Sequence, residues 1–428
     1  MSASSADIAV VGAGAAGLFA AISAARASPA LRVVAIDGAK ILGAKILVAG
    51  GGRCNVTHHA VNASDYAGST AALIARVLRR FGVDETIAFF EQLGVTLKRE
   101  ETGKLFPTTD QARTVLTALL VAARDARVEI IHPMRVESVT TCEGGFCVAS
   151  EGGSVTAKCV ILATGGLSLP KSGSDGAGFR FAQALGHTLT PLVVPSLVPL
   201  TLASDHWLKE LSGLALPAEI TVAAGSGKLA RDANGKAIPL IQGAILCTHF
   251  GLSGPAILDV SRHWICATAT DAESHLIINW MPAVTEASLD AELVASKGTS
   301  LLAVLHGRVP DRFLRAAIAH VGVDGTCGIQ QLPRERRQLL VRLLTAQRIL
   351  PTGSRGFLAA ETTAGGVPLA QMNLDRLESL ATPGLFICGE MLDVDGRLGG
   401  FSFQWAWSSG YVAGCAAAAL AGSVTPKV

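Results

Sequence analysis

Charged residues are scarce in this chain. Only 16% of its 428 residues are Asp, Glu, Lys or Arg, and the formal net charge is +2. A balance so close to neutral gives no electrostatic case for binding nucleic acid or an acidic membrane surface. Half of the residues are hydrophobic, so disorder is excluded and we expect a large core spread over two or three domains.

Metal-binding and redox patterns of cysteine are missing. The nine cysteines include no CxxC pair and no Cys/His cluster at zinc spacing, which predicts reduced thiols and no metal site. Cys142 and Cys147 have the C-x4-C spacing of flavin disulfide reductases. The intervening EGGF is typical of a hairpin turn between two extended stretches, so we expect no redox pair there.

Signal and membrane segments are also not evident. The uncharged stretch from Ile8 to Ala25 carries glycines at nucleotide-binding offsets, and the preceding MSASSAD has no basic region. No other stretch approaches the length of a membrane span. The sequence predicts a soluble, cytoplasmic protein with no membrane partner.

What the chain does have is a nucleotide-binding fingerprint near its start. The apolar run IAVV is followed by Gly12, Gly14 and Gly17 in GxGxxG spacing, then by an Ala-rich helical stretch and a second apolar run that ends at Asp37. In this context the glycines permit a tight turn, close approach of a pyrophosphate and close helix–strand packing. An acid at the position of Asp37 accepts ribose hydroxyls, which favours FAD or NAD over NADP.

Two further Gly-dense segments have a similar sequence pattern. The strand-like KCVIL runs into Ala163, Thr164, Gly165 and Gly166, which we interpret as a second pass of the chain over the cofactor. Near the C-terminus, Gly399 and Gly400 precede a long Ala-rich helix whose N-terminal dipole would face the pyrimidine edge of a flavin. Read alone, the first is also compatible with an ordinary strand exit and the second with a docking helix.

The middle of the chain has a different sequence pattern. We predict a cofactor domain in two parts, 1–192 and 353–428, interrupted by an inserted domain at 193–352. The insertion is predicted to be β-rich over 193–283 and helical over 284–352.

Five motifs resemble one family: VGAGAAGL (11–18), GAKILVAGGGRCNVTH (43–58), ATGGLSLPKSGSDGAGFRFAQALGH (163–187), THFGLSGPAIL (248–258) and GEMLDVDGRLGGFSFQWAWSSGYVAG (389–414). The chain resembles the BaiN/YhiN-type bacterial flavoproteins, some of which are called aminoacetone oxidases. The resemblance implies an α/β fold with one discontinuous, glutathione-reductase-type Rossmann domain that binds FAD. It also implies an inserted β-barrel-like and helical cap over the flavin.

The resemblance also assigns cofactor contacts, which are Gly12, Gly14, Ala15, Ala16, Asp37, Lys45, Gly51, Gly52, Arg53, Cys54, Asn55, Val136, Ala163, Thr164, Gly165, Gly166, Gly389, Asp393, Gly399, Gly400, Phe401 and Ser402. One position departs from the family pattern, because Ser402 stands where the family usually has Asn. The substitution removes an amide that would hydrogen-bond at the flavin or substrate edge.

Three residues are candidates for catalysis. Arg53 follows the predicted flavin loop and either stabilises reduced flavin or binds a carboxylate; pairing with a cofactor phosphate or a nearby acid is the alternative. His249 is a candidate acid/base group and Glu361 a candidate flavin-facing acid, with structural roles as their alternatives. We interpret Cys54 as a packed small residue rather than a redox thiol.

The predicted function is an FAD-dependent oxidoreductase acting on a small organic molecule. A second dinucleotide fingerprint is missing, so NADH or NADPH would bind only transiently as electron donor. The alternatives are an oxidase that passes electrons to oxygen, a non-catalytic binding module with the same fold, and a flavoprotein acting on tRNA, which the neutral charge disfavours. The sequence leaves the substrate and the oligomeric state open.

Overall fold

A computed structural model describes residues 2–232, 234–296 and 299–423. The strands are β1 (Ser2–Val11), β2 (Val33–Ile36), β3 (Thr57–His58), β4 (Tyr66–Gly68), β5 (Leu97–Arg99), β6 (Lys104–Pro107), β7 (Glu129–Ile131), β8 (Ser138–Cys142), β9 (Gly145–Ser150), β10 (Gly153–Leu162), β11 (Val194–Ser196), β12 (Leu200–Thr201), β13 (Ala215–Ala223), β14 (Ile241–Thr248), β15 (Gly251–Ser253), β16 (His275–Asn279), β17 (Gln347–Ile349), β18 (Gly353–Ser354), β19 (Thr362–Ala364), β20 (Met372–Asn373), β21 (Glu378–Ser379), β22 (Leu385–Ile387) and β23 (Val394–Gly396).

The helices are α1 (Ala15–Ala27), α2 (Ala44–Gly52), α3 (Ala71–Leu78), α4 (Val83–Gln92), α5 (Ala112–Asp125), α6 (Ala177–Ala184), α7 (Pro255–Thr268), α8 (Glu286–Ala295), α9 (Leu301–Leu305), α10 (Asp311–His320), α11 (Arg334–Thr345) and α12 (Phe401–Ser423). In the described part of the chain, none of the helices combines the length and apolar character that a membrane crossing requires.

The chain forms two compact units. The first comprises Met1–Pro195 and Ala360–Val428, and the second comprises Ser196–Ala359. The sequence-based prediction puts the corresponding boundaries at 192/193 and 352/353.

The first unit is built on a mixed α/β sheet with a parallel centre of Rossmann type. Its strands follow the order β20-β21-β22-β10-β1-β2-β7, and the β8–β9 hairpin joins β10. From β22 to β7 the neighbours are parallel. Strands β1, β2, β10 and β22 end in continuous runs of buried apolar residues, as expected for strands covered on both faces.

The register of this sheet aligns the ends of its central strands. Leu162 pairs with Val11 on one side and with Ile387 on the other. The segments that follow β1, β10 and β22 therefore leave the sheet at the same edge, where α/β folds bind their ligands.

Helix α12 packs against α1 at very short range. A Cβ on Gly410 would lie 2.7 Å from the carbonyl oxygen of Ala16, and one on Gly414 would lie 2.2 Å from that of Ala20. Glycine at these two positions allows the backbones of the first and last helices of the unit to meet.

The second unit has its own core. A seven-stranded sheet runs in the order β17-β16-β13-β14-β15-β12-β18, its pairs are antiparallel, and Trp280 and Phe313 are among its buried aromatic residues. Its second part contains α8 to α11. The predicted barrel-like shape and the predicted capping role of this unit stay predictions.

Within the insertion the structure contains one element of the other type in each of the two predicted parts. The stretch predicted to be β-rich also contains the helix α7, whose first residue is Pro255. The stretch predicted to be helical up to 352 stops being helical at Thr345, and β17 follows and pairs with β16. The C-x4-C hairpin prediction is confirmed, since Cys142 pairs with Gly145 across the β8–β9 turn and both cysteines are free.

Candidate cofactor and active site

The turn from β1 to α1 has the geometry that its glycines predict. Gly12 has φ +99°, and a Cβ there would lie 2.6 Å from the carbonyl oxygen of Ala163. A Cβ on Gly17 would lie 1.8 Å from the carbonyl oxygen of Gly12. A Cβ on Gly14 meets no atom within 4 Å, so this backbone is the part of the turn open to a ligand.

Asp37 ties the end of β2 to this turn. Its Oδ2 accepts a hydrogen bond from the Ala13 N–H and its Oδ1 one from the Ala39 N–H, both at 2.7 Å. Each carboxylate oxygen can accept a further donor, so the geometry is compatible with the ribose role predicted for Asp37. Val136 is buried on the segment after β7, the parallel neighbour of β2.

The GGGRCN loop has a left-handed backbone. Helix α2 loses helical geometry at Ala49, and Gly50, Gly51 and Gly52 have φ of +57°, +69° and +84°. A Cβ on Gly51 meets no atom within 4 Å. This loop therefore offers accessible main chain, as a cofactor-binding segment must.

The second and third segments meet the first at the sheet edge. The Ala163 N–H donates to the Val11 carbonyl at 2.9 Å, and the Cys388 N–H donates to the Leu162 carbonyl at 3.1 Å. Gly389 is then held by α12, because its N–H donates to Ser409 Oγ at 2.9 Å and its carbonyl accepts from Trp405 Nε1 at 3.1 Å. Gly389 also passes close to α1, since its Cβ would lie 2.7 Å from that of Ala16.

A polar cluster that the sequence analysis missed joins the second and third segments to α2. Lys45 Nζ donates to Glu390 Oε2 at 2.6 Å and to Ser168 Oγ at 2.7 Å. Glu390 Oε1 accepts from Ser168 Oγ at 2.8 Å and from the Thr363 N–H at 2.9 Å. Gly165 has φ +76°, and a Cβ on Gly166 would lie 2.4 Å from Thr363 Oγ1, so the ATGG segment lies against the cluster.

The N-terminus of α12 lies on the 53–57 loop. A Cβ on Gly400 would lie 2.6 Å from the carbonyl carbon of Thr57 and 2.9 Å from Asn55 Oδ1. Asn55 is only 8% exposed, and in the described residues neither its Oδ1 nor Ser402 Oγ has a hydrogen-bond partner. A bound water, ion or ligand can satisfy such buried polar atoms.

Three further predicted contacts, Gly399, Phe401 and Asp393, lie near the N-terminus of α12. Gly399 lies near His58, and the ring of Phe401 stacks on His58 with centroids 4.9 Å apart. Asp393 is buried, and its carbonyl accepts from the Ser69 N–H at 2.8 Å. Backbone accessible at Gly14 and Gly51, together with the unpaired atoms of Asn55 and Ser402, fits a cofactor that stretches from a pyrophosphate to a polar ring.

Arg53 is engaged by acids. Its Nη1 lies 2.6 Å from Glu100 Oε1 and 3.6 Å from Asp110 Oδ1, and its guanidinium carbon lies 4.0 Å from the centre of the Phe106 ring. This pairing favours the acid-partner alternative, and a catalytic role for Arg53 stays a prediction.

The other two catalytic candidates belong to different units. Glu361 lies in the first unit, exposed, and its carbonyl accepts from Ser168 Oγ at 3.3 Å, which places it beside the Lys45 cluster. His249 lies in the second unit, directly after β14, and its ring meets Phe250 edge-on.

Cys54 is fully buried, and burial raises the pKa of its thiol to about 12. We expect iodoacetamide at pH 8 to leave Cys54 unmodified in the native protein and to alkylate the exposed Cys142, because only a reachable thiolate reacts. Peptide mass spectrometry before and after denaturation measures both sites. Native alkylation of Cys54 at the rate of Cys142 would contradict the interpretation of Cys54 as a packed residue.

Comparison with known proteins places this site in a family. The model of the HI0933-like protein Rossmann domain matches residues 6–416. The chain is 32% identical to the 3-dehydro-bile acid delta(4,6)-reductase of Clostridium scindens, over 96% of this chain and 98% of that protein. It is 33% identical to the ribosomal RNA dihydrouridine synthase of Escherichia coli, over 95% of this chain and 96% of that protein.

Solved structures agree on the fold. The FrdA subunit of E. coli quinol fumarate reductase superposes with a TM-score of 0.51 at 17% identity, covering 100% of this chain and 72% of that one.

The match of the family model over residues 6–416 covers all three Gly-dense segments. The chain belongs to the HI0933-like family, the BaiN/YhiN-type FAD-dependent oxidoreductases whose motifs it carries.

Proposed function

We propose that the protein uses FAD to reduce a carbon–carbon double bond that is conjugated to a carbonyl group. The observation that carries this proposal is the alignment of the ends of β1, β10 and β22, which brings the three Gly-dense segments to one sheet edge. When bound there, FAD would supply two-electron hydride chemistry.

The reaction class is supported by two names given to relatives. One is a delta(4,6)-reductase of a 3-dehydro bile acid, and the other makes dihydrouridine in ribosomal RNA. Both names describe saturation of a carbon–carbon double bond in a molecule that carries a carbonyl group. The shared chemistry is therefore better supported for this chain than either substrate.

Each part of the site has a role in this proposal. The first N–H groups of α1, from Ala15 and Ala16, would bind the pyrophosphate, and Asp37 would accept the ribose hydroxyls. The N-terminus of α12, with Ser402 and Asn55, would bind the polar edge of the flavin ring. The reaction also consumes one proton, for which Glu361 is the candidate donor in this unit.

We propose a small organic molecule as substrate and NADH or NADPH as a transient donor. The formal net charge of +2 supports a small molecule over an RNA. A uridine of ribosomal RNA is the second candidate, because relatives in both Escherichia coli and Haemophilus influenzae carry that name. A cytoplasmic location also stays a proposal, for which the nine cysteines give support because the described residues contain no disulfide.

Anaerobic mixing with NADH and with NADPH tests the proposal. We expect yellow protein whose flavin absorbance bleaches with one donor and returns when a 3-oxo-4,6-diene steroid is added. Reoxidation by uridine-containing ribosomal RNA instead, with dihydrouridine detected by mass spectrometry, would favour the second candidate.

Three outcomes would overturn the reductase proposal. Folded, colourless protein that takes up no FAD would favour the non-catalytic binding module. Flavin that neither donor bleaches, but that an amine substrate reduces with hydrogen peroxide formed in air, would favour the oxidase. Flavin that either donor bleaches but neither acceptor reoxidises would contradict the proposed substrate chemistry.

A further inference from the structure

Three side chains of the polar cluster come from three different cofactor segments. Lys45 precedes the GGGRCN loop, Ser168 follows the ATGG segment, and Glu390 follows Gly389 directly. The segments are far apart in the chain, with Lys45 and Glu390 separated by 345 residues. The Lys45–Glu390 ion pair and the hydrogen bonds of Ser168 therefore link three of the backbone segments that would surround the FAD.

The cluster fixes its charges in place. Glu390 accepts three hydrogen bonds, from Lys45, Ser168 and the Thr363 N–H. Lys45 uses two of its three ammonium donors on Ser168 and Glu390. Their side chains are 27% and 19% exposed, so solvent screens this pair less than it screens a surface ion pair.

We infer that Lys45 is a positioning cation that sets the redox potential of the bound flavin, with Glu390 and Ser168 holding it in place. The inference rests on the proposed function, since it requires FAD at this sheet edge. Reduction adds negative charge to the flavin ring, so a fixed cation nearby favours the reduced form and a fixed anion disfavours it.

This assignment predicts that two substitutions shift the midpoint potential of the flavin in opposite directions. Lys45→Met removes the cation, so we expect the ratio of reduced to oxidised flavin at a given potential to fall about tenfold, a midpoint shift of about −30 mV for a two-electron couple. Glu390→Gln removes the anion and keeps the side-chain shape, so we expect a shift of the same order in the positive direction. Lys45→Arg keeps the charge and should stay near the wild-type value.

The measurement is an anaerobic dye-coupled titration of the FAD-loaded protein. A matched control is Lys158→Met, which breaks a similar ion pair with Asp7 (2.9 Å, side chains 36% and 23% exposed) in the same unit. It should leave the potential unchanged. Circular dichroism melting shows whether each variant has kept its fold.

The outcomes separate this inference from the proposed function. Wild-type protein that binds no FAD contradicts the proposed function. FAD that binds, with a potential unmoved by Lys45→Met and Glu390→Gln or moved by both in the same direction, overturns the role of Lys45. If Lys45→Met loses its FAD, the midpoint potentials of Glu390→Gln and Lys45→Arg test the inference. A Glu390→Gln potential equal to or lower than that of the wild type then overturns it.

Discussion

Gly14→Val should weaken FAD binding about a hundredfold and leave the protein folded. A Cβ on Gly14 meets no protein atom within 4 Å, and its φ of −77° suits any residue. Gly14 is the N-cap of α1, so we expect valine to cost the fold no more than about 1 kcal/mol. Filling the space of a pyrophosphate should cost about 3 kcal/mol, or about a hundredfold in the Kd for FAD.

Flavin content after purification and titration of apoprotein with FAD measure this effect. Gly422→Val is a matched control, because Gly422 also has no atom within 4 Å of an added Cβ and lies in the same unit, near the end of α12. It should bind FAD like the wild type. A Gly14→Val protein that binds FAD with the wild-type Kd would place the cofactor elsewhere.

Gln404→Ala should cause a large loss of stability. Gln404 is fully buried; its Oε1 accepts from Thr57 Oγ1 at 2.6 Å and from Thr86 Oγ1 at 3.0 Å, and its amide nitrogen donates to the Phe81 carbonyl at 3.2 Å. Alanine leaves these partners buried without their hydrogen bonds and creates a cavity. We expect a loss of about 3 kcal/mol, which lowers the Tm by roughly 6–10 °C.

Thermal melting followed by circular dichroism measures the change. Gln371→Ala is the comparison, since Gln371 also hydrogen-bonds through both ends of its amide, to His187 and Thr188, but it is only half-buried and water can reach it. Water can replace its partners, so we expect a loss of about 1 kcal/mol or less. Equal melting of the two variants would show that the buried network adds no stability.

Local features of the site followed from the sequence. The roles of Gly12 and Gly17 depend only on how a strand meets the next helix, so spacing alone predicts them. The position of Asp37 follows in the same way from the strand that precedes it. The contacts of Gly17 with Gly12 and of Asp37 with Ala13 join residues fewer than thirty positions apart.

Contacts between residues far apart in the chain could not be predicted from the sequence. Nothing near Lys45 indicates that its partners are Ser168 and Glu390, because the parallel register of the sheet is what brings them together. The partners of Arg53 were also unpredictable, since Glu100 and Asp110 reach it through the small sheet of β3, β5 and β6. Helix α7 was missed because its apolar sequence follows two short strands.

The interrupted order of the first unit has a consequence for synthesis on the ribosome. When β10 emerges, the parallel neighbour of its C-terminal half, β22, is still more than two hundred residues away, and α12 comes later still. The nascent N-terminal portion therefore exposes an unpaired strand edge and the α1 face that Gly410 and Gly414 later cover. We therefore expect cofactor capture to be a late event that follows release of almost the entire polypeptide from the exit tunnel.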